Sequence, residues 1–456
     1  MKKRSVLGID LGTSSVKVLQ RFEDGTIAKG KAGYREISEE GWWNAVQEAL
    51  LQLELDSVEA IGLSSQVGTY IVDDTWINSW NSGIGSEQLT WLKQQISQEE
   101  FFQEISMPHP NITSYPLPRL KYMSQQYPKA KQICQPKDFI CEKLTGNRVT
   151  DPYSWRGLVN LHTGEYSGKL LDFIGFSVEK LPKIQSETQL AGYTKELFPK
   201  KVPVYTGLND FFAALLGMGI CQEGDMFDIS GTSEHVGVLE KHVNIETPLV
   251  SGPYLRKNVH YGVTASSGTS LDFGLHLMGE KALGLEDVYG KKLPIFLPYL
   301  SGERAPIWDM DARGVFMGIT AGCTKEELSY SVMEGVVFSL YHIYEIMGKP
   351  KAARMKAAGG AAVNPLLNML KAELFGIPVE VLEEKDSSAL GAAMVASVGN
   401  GWFENYEEAI KEMCRIQTVT EPTGKYREWL LKRFSVYKEL YPAVKEQYKT
   451  MRRLEL

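Results

Sequence analysis

Cysteine and histidine are scarce in this chain, at five and seven of 456 residues. Cys134, Cys141, Cys221, Cys323 and Cys414 are odd in number, widely spaced and never in a Cys-x-x-Cys pair. That argues against a disulfide framework or a zinc site and fits a reducing compartment, so a cytoplasmic location is expected. The histidines form no His-Glu-x-x-His pair, the spacing that would mark a zinc protease. Positive charge is not in excess either: Lys+Arg is 49 against Asp+Glu 56, a net charge of −7. A nucleic-acid partner would need a basic footprint that this balance does not supply. The basic C-terminal stretch is interleaved with Glu428, Glu439 and Glu446 and reads as a solvated helix face. No apolar run reaches the ~18 residues of a membrane span, so no membrane partner is expected. The basic start Lys2-Lys3-Arg4 is followed by an apolar run that breaks at Asp10, which argues against a signal peptide. Two nucleotide-loop signatures are missing as well. None of the Gly-Lys pairs is followed by Ser or Thr, and no strand leads into Gly-x-Gly-x-x-Gly.

Glycine is what the chain has in plenty: 42 residues, above the roughly 7% of an average protein. The glycines sit in short clusters beside Ser, Thr, Asn and Asp, where bare backbone makes tight turns or approaches a ligand. Residues 5–10 read as a buried strand and 16–20 as its return, with Gly12-Thr13-Ser14 as the hairpin tip. A third strand is expected near Thr26. Helical spacing follows over 38–53, on Trp42, Trp43, Ala45, Val46, Ala49 and Leu50. Strands follow at 58–63 and 69–72, and the order β-β-β-α-β-α predicts a mixed α/β domain.

The pattern returns at 226–240. There Asp228-Ile229-Ser230-Gly231-Thr232-Ser233 repeats the strand, Asp, Gly-Thr-Ser, strand sequence of Asp10 to Ser14, with the two Gly-Thr pairs 219 positions apart. A chance recurrence of a hairpin tip would look the same at these residues alone; the spacing, near half the chain, points to a duplicated fold. The lobes are expected to span 1–213 and 214–456, joined near 210–222, with an amphipathic final helix over 425–451.

Hairpin tips of Gly, Ser and Thr offer N–H groups and hydroxyls to the phosphates of a nucleoside triphosphate. Asp10, just before the first tip, is placed to hold Mg2+ directly or through water, or else to cap its own turn. Gly359-Gly360-Ala361, then Asn364-Pro365, would admit a flat ring or cap a helix. Gly207-Leu208-Asn209-Asp210 runs from a strand into an apolar helix. Asp210 there can accept the proton of an attacking hydroxyl, or serve as the helix N-cap.

These residues, in this order, resemble the FGGY carbohydrate kinases of the actin, heat-shock chaperone and hexokinase fold group. Gly8-Ile9-Asp10-Leu11-Gly12-Thr13-Ser14 is similar to the family's first phosphate loop, and Gly207-Leu208-Asn209-Asp210 to the segment of its catalytic aspartate. Ser230-Gly231-Thr232-Ser233 is similar to its second phosphate loop. Gly314-x-Phe316-x-Gly318-Ile319, then Glu327-Leu328-x-x-Ser331-Val332-Met333-Glu334, resembles its downstream signature, and Phe296 to Pro306 and Tyr437 to Ala443 are also typical. The resemblance implies two duplicated ribonuclease H-like (actin-like ATPase) α/β lobes with a central cleft, the last helix packing back between them. It implies ATP and Mg2+, with Asp10 organising the metal and Gly12, Thr13, Ser14, Gly231 and Thr232 on the phosphates. Gly359, Gly360, Ala361 and Asn364 would line the adenosine site. Gln66, Val67, Gly68, Trp80, Asn81 and Asn209 would meet a sugar or polyol, a pentulose such as xylulose being favoured, and Asp210 would be the general base. Relatives are frequently dimers, so the resemblance also allows a homodimer.

Departures gather at the sugar site. Gln66-Val67-Gly68-Thr69 stands where xylulokinase-like members read Gln-Met-His-Gly, and Trp80-Asn81-Ser82-Gly83-Ile84 where many read Trp-Asn-Asp-x-Arg. Phe211 replaces the Asn or Gln that often follows the base. Two alternatives therefore stay open at this point: a degenerate sugar-binding sensor, and a nucleotide-dependent switch on the same fold.

Overall fold

The computed structural model describes residues 3–160, 163–279 and 282–454. The chain divides into two compact units. The first comprises the described residues of Met1–Cys221, Gly252–Arg256 and Asp386–Arg415, the second those of Gln222–Ser251, Lys257–Lys385 and Ile416–Leu456. Neither is one continuous stretch. The expected boundary after residue 213 falls inside the helix Asp210–Gly217, and each unit recruits a later segment that sequence patterning alone did not connect to it.

In the first unit the sheet runs, in spatial order, Leu190–Tyr193, Pro203–Asn209, Val58–Ser65, Ser5–Leu11, Ser15–Phe22 and Ile27–Gly33. The last three form an antiparallel meander, whereas Ser5–Leu11, Val58–Ser65 and Pro203–Asn209 are parallel. Ser5–Leu11 is buried at every position, as a central strand covered on both faces must be. The helix Glu39–Leu50, capped by Ser38, buries Trp42, Ala45, Val46, Ala49 and Leu50 on one side of the sheet. On the other side lies Ser387–Gly399, made almost wholly of small residues. A Cβ on Gly8 would stand 1.8 Å from the Ala389 carbonyl oxygen, and one on Gly62 1.9 Å from that of Ala392. Much of the glycine excess therefore serves backbone-to-backbone packing inside the unit, not ligand approach.

The expected β-β-β-α-β-α order holds as far as Ser65 and is then interrupted. Residues 70–184 are inserted here, with a small sheet of Tyr70–Val72, Trp76–Asn78 and Ile133–Cys134 and several short helices around a core of Tyr70, Phe101, Leu120, Trp155 and Leu170, while the helix Pro136–Thr145 packs Phe139, Ile140 and Leu144 into the core of the main sheet. The inserted helices are short, 8 residues over Gln98–Ile105 and 7 over Gly168–Ile174, which leaves little length in which a helical period can be read.

The second unit repeats the plan. Its sheet contains Lys257–Val263, Glu234–Glu240, Met226–Ser230, Met355–Gly359, Val379–Leu382 and Ile416–Thr420 in that spatial order. Again three strands meander, two more run parallel to the first, and an antiparallel strand closes the edge. The duplicated ribonuclease H-like architecture is thus present in both units. The final helix, Arg427–Leu454, docks on Lys325–Ile346 within this unit. There Arg433 grips Glu334 with two hydrogen bonds of 2.7 and 2.6 Å, and Tyr437 Oη lies 3.0 Å from Tyr299 Oη. The signature residues Glu327, Ser331 and Glu334 act here as a helix cap, a bond to the Pro294 carbonyl and an ion-pair partner. They are structural groups. No helix among the described residues is long and apolar enough to cross a membrane.

Candidate active site

Three parallel strands of the first unit end in register. Asp10 pairs with Ser64 and Leu11 with Ser65 across one ladder, and Asn209 pairs with Ser65 across the next. Asp10, Gln66 and Asp210 therefore emerge together at the carboxyl ends of neighbouring strands, where α/β sheets place their ligands. Gly207 makes this possible. Its φ is +78°, and a Cβ there would meet the Leu63 carbonyl oxygen at 1.8 Å.

Asp10 is buried, at 6% exposure, and one of its oxygens accepts a hydrogen bond from Ser64 Oγ at 2.8 Å. Its other oxygen accepts none among the described residues. Burial pushes its carboxyl up to about 6, against the pull of the Ser64 bond and of Lys17. The tip beyond it closes with Gly12 N donating to the Ser15 carbonyl at 3.0 Å, which leaves the Thr13 and Ser14 side chains exposed. Tyr34 Oη donates to the Gly12 carbonyl and braces the tip, a contact sequence reading missed.

The helix Asp210–Gly217 is capped by Asn209, whose Oδ1 accepts from Phe212 N at 3.0 Å, and not by Asp210. The N-cap alternative for Asp210 is thereby removed. Asp210 Oδ1 accepts from the neighbouring Phe211 N–H at 2.7 Å, its own N–H adds a weaker pull, and no other residue among those described donates to its carboxylate. Burial, and then the nearby Asp10 carboxylate, push Asp210 up to about 7.

The segments assigned to the sugar adjoin this edge. Gln66 is buried, with its side-chain nitrogen unpartnered. Gly68 has φ +81° and donates its N–H to Gln135 Oε1 at 2.9 Å, and a Cβ there would lie 2.9 Å from the Ser114 carbonyl oxygen. The departure from the family pattern at 68 therefore follows from local backbone: a histidine would not fit. Trp80 N donates to the buried Thr69 Oγ1 at 3.1 Å, which ties the partly exposed Trp80 and the exposed Asn81 to that turn. Arg119, fully buried, holds the same loop. Its Nη1 donates to Ser82 Oγ at 2.9 Å and its Nη2 to the Ser82 carbonyl at 3.0 Å. Ser82 thus takes the place of the acidic residue of many members as an uncharged acceptor.

The second unit assembles the other predicted set. Gly231 and Thr232 form the exposed tip between Met226–Ser230 and Glu234–Glu240, closed by Gly231 N donating to the Ser233 carbonyl at 2.8 Å. Gly359 pairs with Ser230 on the parallel strand; its φ is +95°, and a Cβ would sit 1.9 Å from the Ser230 carbonyl oxygen. Gly360 N donates to that same oxygen at 3.1 Å, and Ala361 N donates to Ser230 Oγ at 2.9 Å. Asn364 is a genuine N-cap, its Oδ1 accepting from Leu366 N and Leu367 N at 2.9 and 3.2 Å, which commits its oxygen and leaves its amide nitrogen for a ligand. Sequence reading missed Ser267-Gly268-Thr269-Ser270, a third Gly-Thr-Ser run. Gly268 N donates to the Gly231 carbonyl at 3.1 Å, where a Cβ would stand 2.3 Å from that oxygen.

Asp228, the counterpart of Asp10, is fully enclosed and bound to Lys371, which also donates to Glu234 at 2.7 Å. The two carboxylates keep the buried ammonium charged, while burial and Glu234 push Asp228 up. Among the described residues no group of three or more His, Cys, Asp or Glu is placed to hold a metal ion. Asp10, with one unpartnered oxygen, does fit Mg2+, which usually takes one or two carboxylates and completes its shell with water and phosphate.

Known proteins share the two-unit fold. The N-terminal domain model of the FGGY family of carbohydrate kinases matches residues 5–217, and the C-terminal domain model matches 228–399. The chain is 28% identical to a xylulose kinase of Lactococcus lactis over 97% of its own length and 96% of the relative's. It is likewise 28% identical to a glycerol kinase of Gloeobacter violaceus, covering 89% of this chain and 90% of that one. Its fold matches the structure of ligand-bound xylulose kinase from Lactobacillus acidophilus with a TM-score of 0.86, over 98% of this chain and 100% of the other, at 22% identity. With both domain models matched in tandem over two units of the same architecture, the chain belongs to the FGGY family of carbohydrate kinases.

Proposed function

We propose that the protein transfers the γ-phosphoryl group of ATP to a hydroxyl of a sugar or polyol, with Asp210 as general base. One observation carries this reading: a carboxylate held only by its own N–H and that of Phe211 stands at the carboxyl ends of three parallel strands, pushed up to about 7 by burial and by Asp10. A base with that value is half-ionised near neutrality and is matched to accepting a hydroxyl proton. Asn209 fixes its position by capping the helix that Asp210 begins. Gln66, Val67 and Gly68 would present backbone and amide to the substrate, with Trp80, Asn81 and Asn209 beside them. A pentulose such as xylulose is the first neutral substrate to try, since relatives are named as kinases of xylulose and glycerol.

We assign the phosphates to the N–H groups and hydroxyls of Gly12, Thr13, Ser14, Gly231 and Thr232. Adenosine is assigned to Gly359, Gly360, Ala361 and Asn364. Asp10 would hold Mg2+, whose charge offsets that developing on the phosphoryl oxygens. Little covalent chemistry is asked of the protein; positioning and electrostatics dominate. Asp210→Ala is expected to abolish phosphorylation across a panel of ketoses, aldoses and polyols while nucleotide affinity stays within about threefold. Near-normal turnover in that variant would sink the assignment.

A further inference from the structure

The first glycine tip is gripped twice by one residue, and the chemistry above gives that residue no part. Tyr34 follows the strand Ile27–Gly33. Its N–H donates to the Ser14 carbonyl at 3.3 Å, and its phenol donates to the Gly12 carbonyl. The partly buried ring stands edge-on to the fully buried Trp42, with centroids 6.5 Å apart and planes at 86°. Trp42 belongs to the helix Glu39–Leu50, so the phenol leans on fixed core. Burial pushes it up to about 12, and it keeps its proton for donation at neutral pH.

What the grip does follows from the peptide unit. The Gly12 C=O and the Thr13 N–H share one planar trans peptide and point in opposite directions, so fixing the carbonyl fixes the N–H. The N–H groups of Thr13 and Ser14 find no acceptor among the described residues. Glycine has no side chain to resist a turn of that peptide plane, so its orientation depends on an outside partner. The second tip has the same lock by other means. There the Gly231 carbonyl accepts from Gly268 N at 3.1 Å, and the Thr232 N–H again finds no acceptor among the described residues. A main-chain donor serves one unit and a phenol the other. Both tips tie down the carbonyl that precedes the open threonine N–H.

We propose that Tyr34 is a positioning residue for phosphoryl transfer: its phenol holds the Gly12–Thr13 peptide so that the Thr13 N–H faces a phosphate oxygen of ATP. A donor set in place beforehand needs no reorganisation as charge develops on the phosphoryl oxygens. Without the phenol the peptide is free to turn, and a carbonyl oxygen turned toward the phosphates would repel them.

This inference rests on the assignment of the phosphates to the first tip, and its test separates the two. MgATP and adenosine are titrated calorimetrically into the full-length wild type, Tyr34→Phe and Tyr34→Leu. Tyr34→Phe keeps the ring and loses one oxygen. It is expected to weaken MgATP about tenfold or more, the scale of one hydrogen bond to a charged group, and to leave adenosine within about twofold. Tyr34→Leu should lose no more of the MgATP affinity than Tyr34→Phe does. With D-xylulose as acceptor, kcat should fall about tenfold or more in Tyr34→Phe while the KM for the sugar stays within about threefold. Where D-xylulose is not turned over, the titration alone decides. Thermal melts check that each variant folds, and if Tyr34→Leu does not, Tyr34→Phe decides. A Tyr34→Phe protein that binds MgATP as the wild type does, or that loses adenosine and MgATP equally, overturns the inference while the phosphate assignment stands. A wild type that binds MgATP no more tightly than adenosine defeats that assignment, and the inference falls with it.

Discussion

The two hairpins of this protein share a plan and differ in what surrounds their aspartates. Each begins on a buried central strand, turns through Gly-Thr-Ser and returns antiparallel, with a further parallel strand alongside. Asp10 meets a serine hydroxyl and keeps one oxygen without a partner. Asp228 is enclosed, bound to Lys371 and neighboured by Glu234. The same residue type on the same framework is thus left available to chemistry in one unit and neutralised for the sake of the fold in the other. Position in a repeat does not assign a role; the partners do.

The sharpest way to break the comparison is to remove the buried cation. Lys371→Met leaves Asp228 and Glu234 facing each other in a dry interior, and the loss of one partner of such a group costs about 3–5 kcal/mol. A large drop in the urea midpoint, with the second unit unfolding, is the expected result. Asp10→Asn should do the opposite. Phosphorylation is expected to fall about 10²–10³-fold if Asp10 organises the phosphoryl charge, on the scale of losing one electrostatic group at an active site. Its melting temperature should hold or rise above pH 6, since burial already raises the Asp10 carboxyl.

Asp210 allows the same point to be made through pH. Its folded value, about 7, lies above its ordinary one of 3.8, so the wild type has full stability from this group below pH 4 and loses it as pH rises through about 7. Asp210→Asn should therefore match the wild type near pH 4 and become progressively more stable toward pH 8, by at most ~4 kcal/mol at 1.36 kcal/mol per pH unit. Parallel melts at both pH values check this. The smallest effect is expected in the second unit, where Asn364→Ala removes a helix cap and should cost about 1 kcal/mol, with a modest rise in the KM for ATP.

How much of this could be read beforehand follows from sequence distance. Asp10 with Gly12-Thr13-Ser14, and Asp228 with Gly231-Thr232-Ser233, are short local patterns whose physics is complete within a few residues, so both hairpins were legible. Asp210 and the Asn364 cap were legible for the same reason. Lys371 is not, because it reaches Asp228 from 143 positions away. Arg119 is hidden for the same reason, since it holds Ser79 from 40 positions away. The helix Ser387–Gly399 was not read from the sequence, and the close approach of its backbone at Gly8 and Gly62 shows which unit it completes. Gly68 looked like a lost polar contact, and the backbone at Ser114 explains it instead.

The role of Asp210 as general base is tested most directly by the pH dependence of kcat/KM for the sugar in the wild-type protein, with Asp210→Asn as the blank. It predicts a rate that climbs with unit slope on a logarithmic scale below about pH 7, levels above it as Asp210 ionises, and is absent in the variant at every pH. A profile that stays flat from pH 5 to 9, or a variant that follows the wild-type curve, would contradict it.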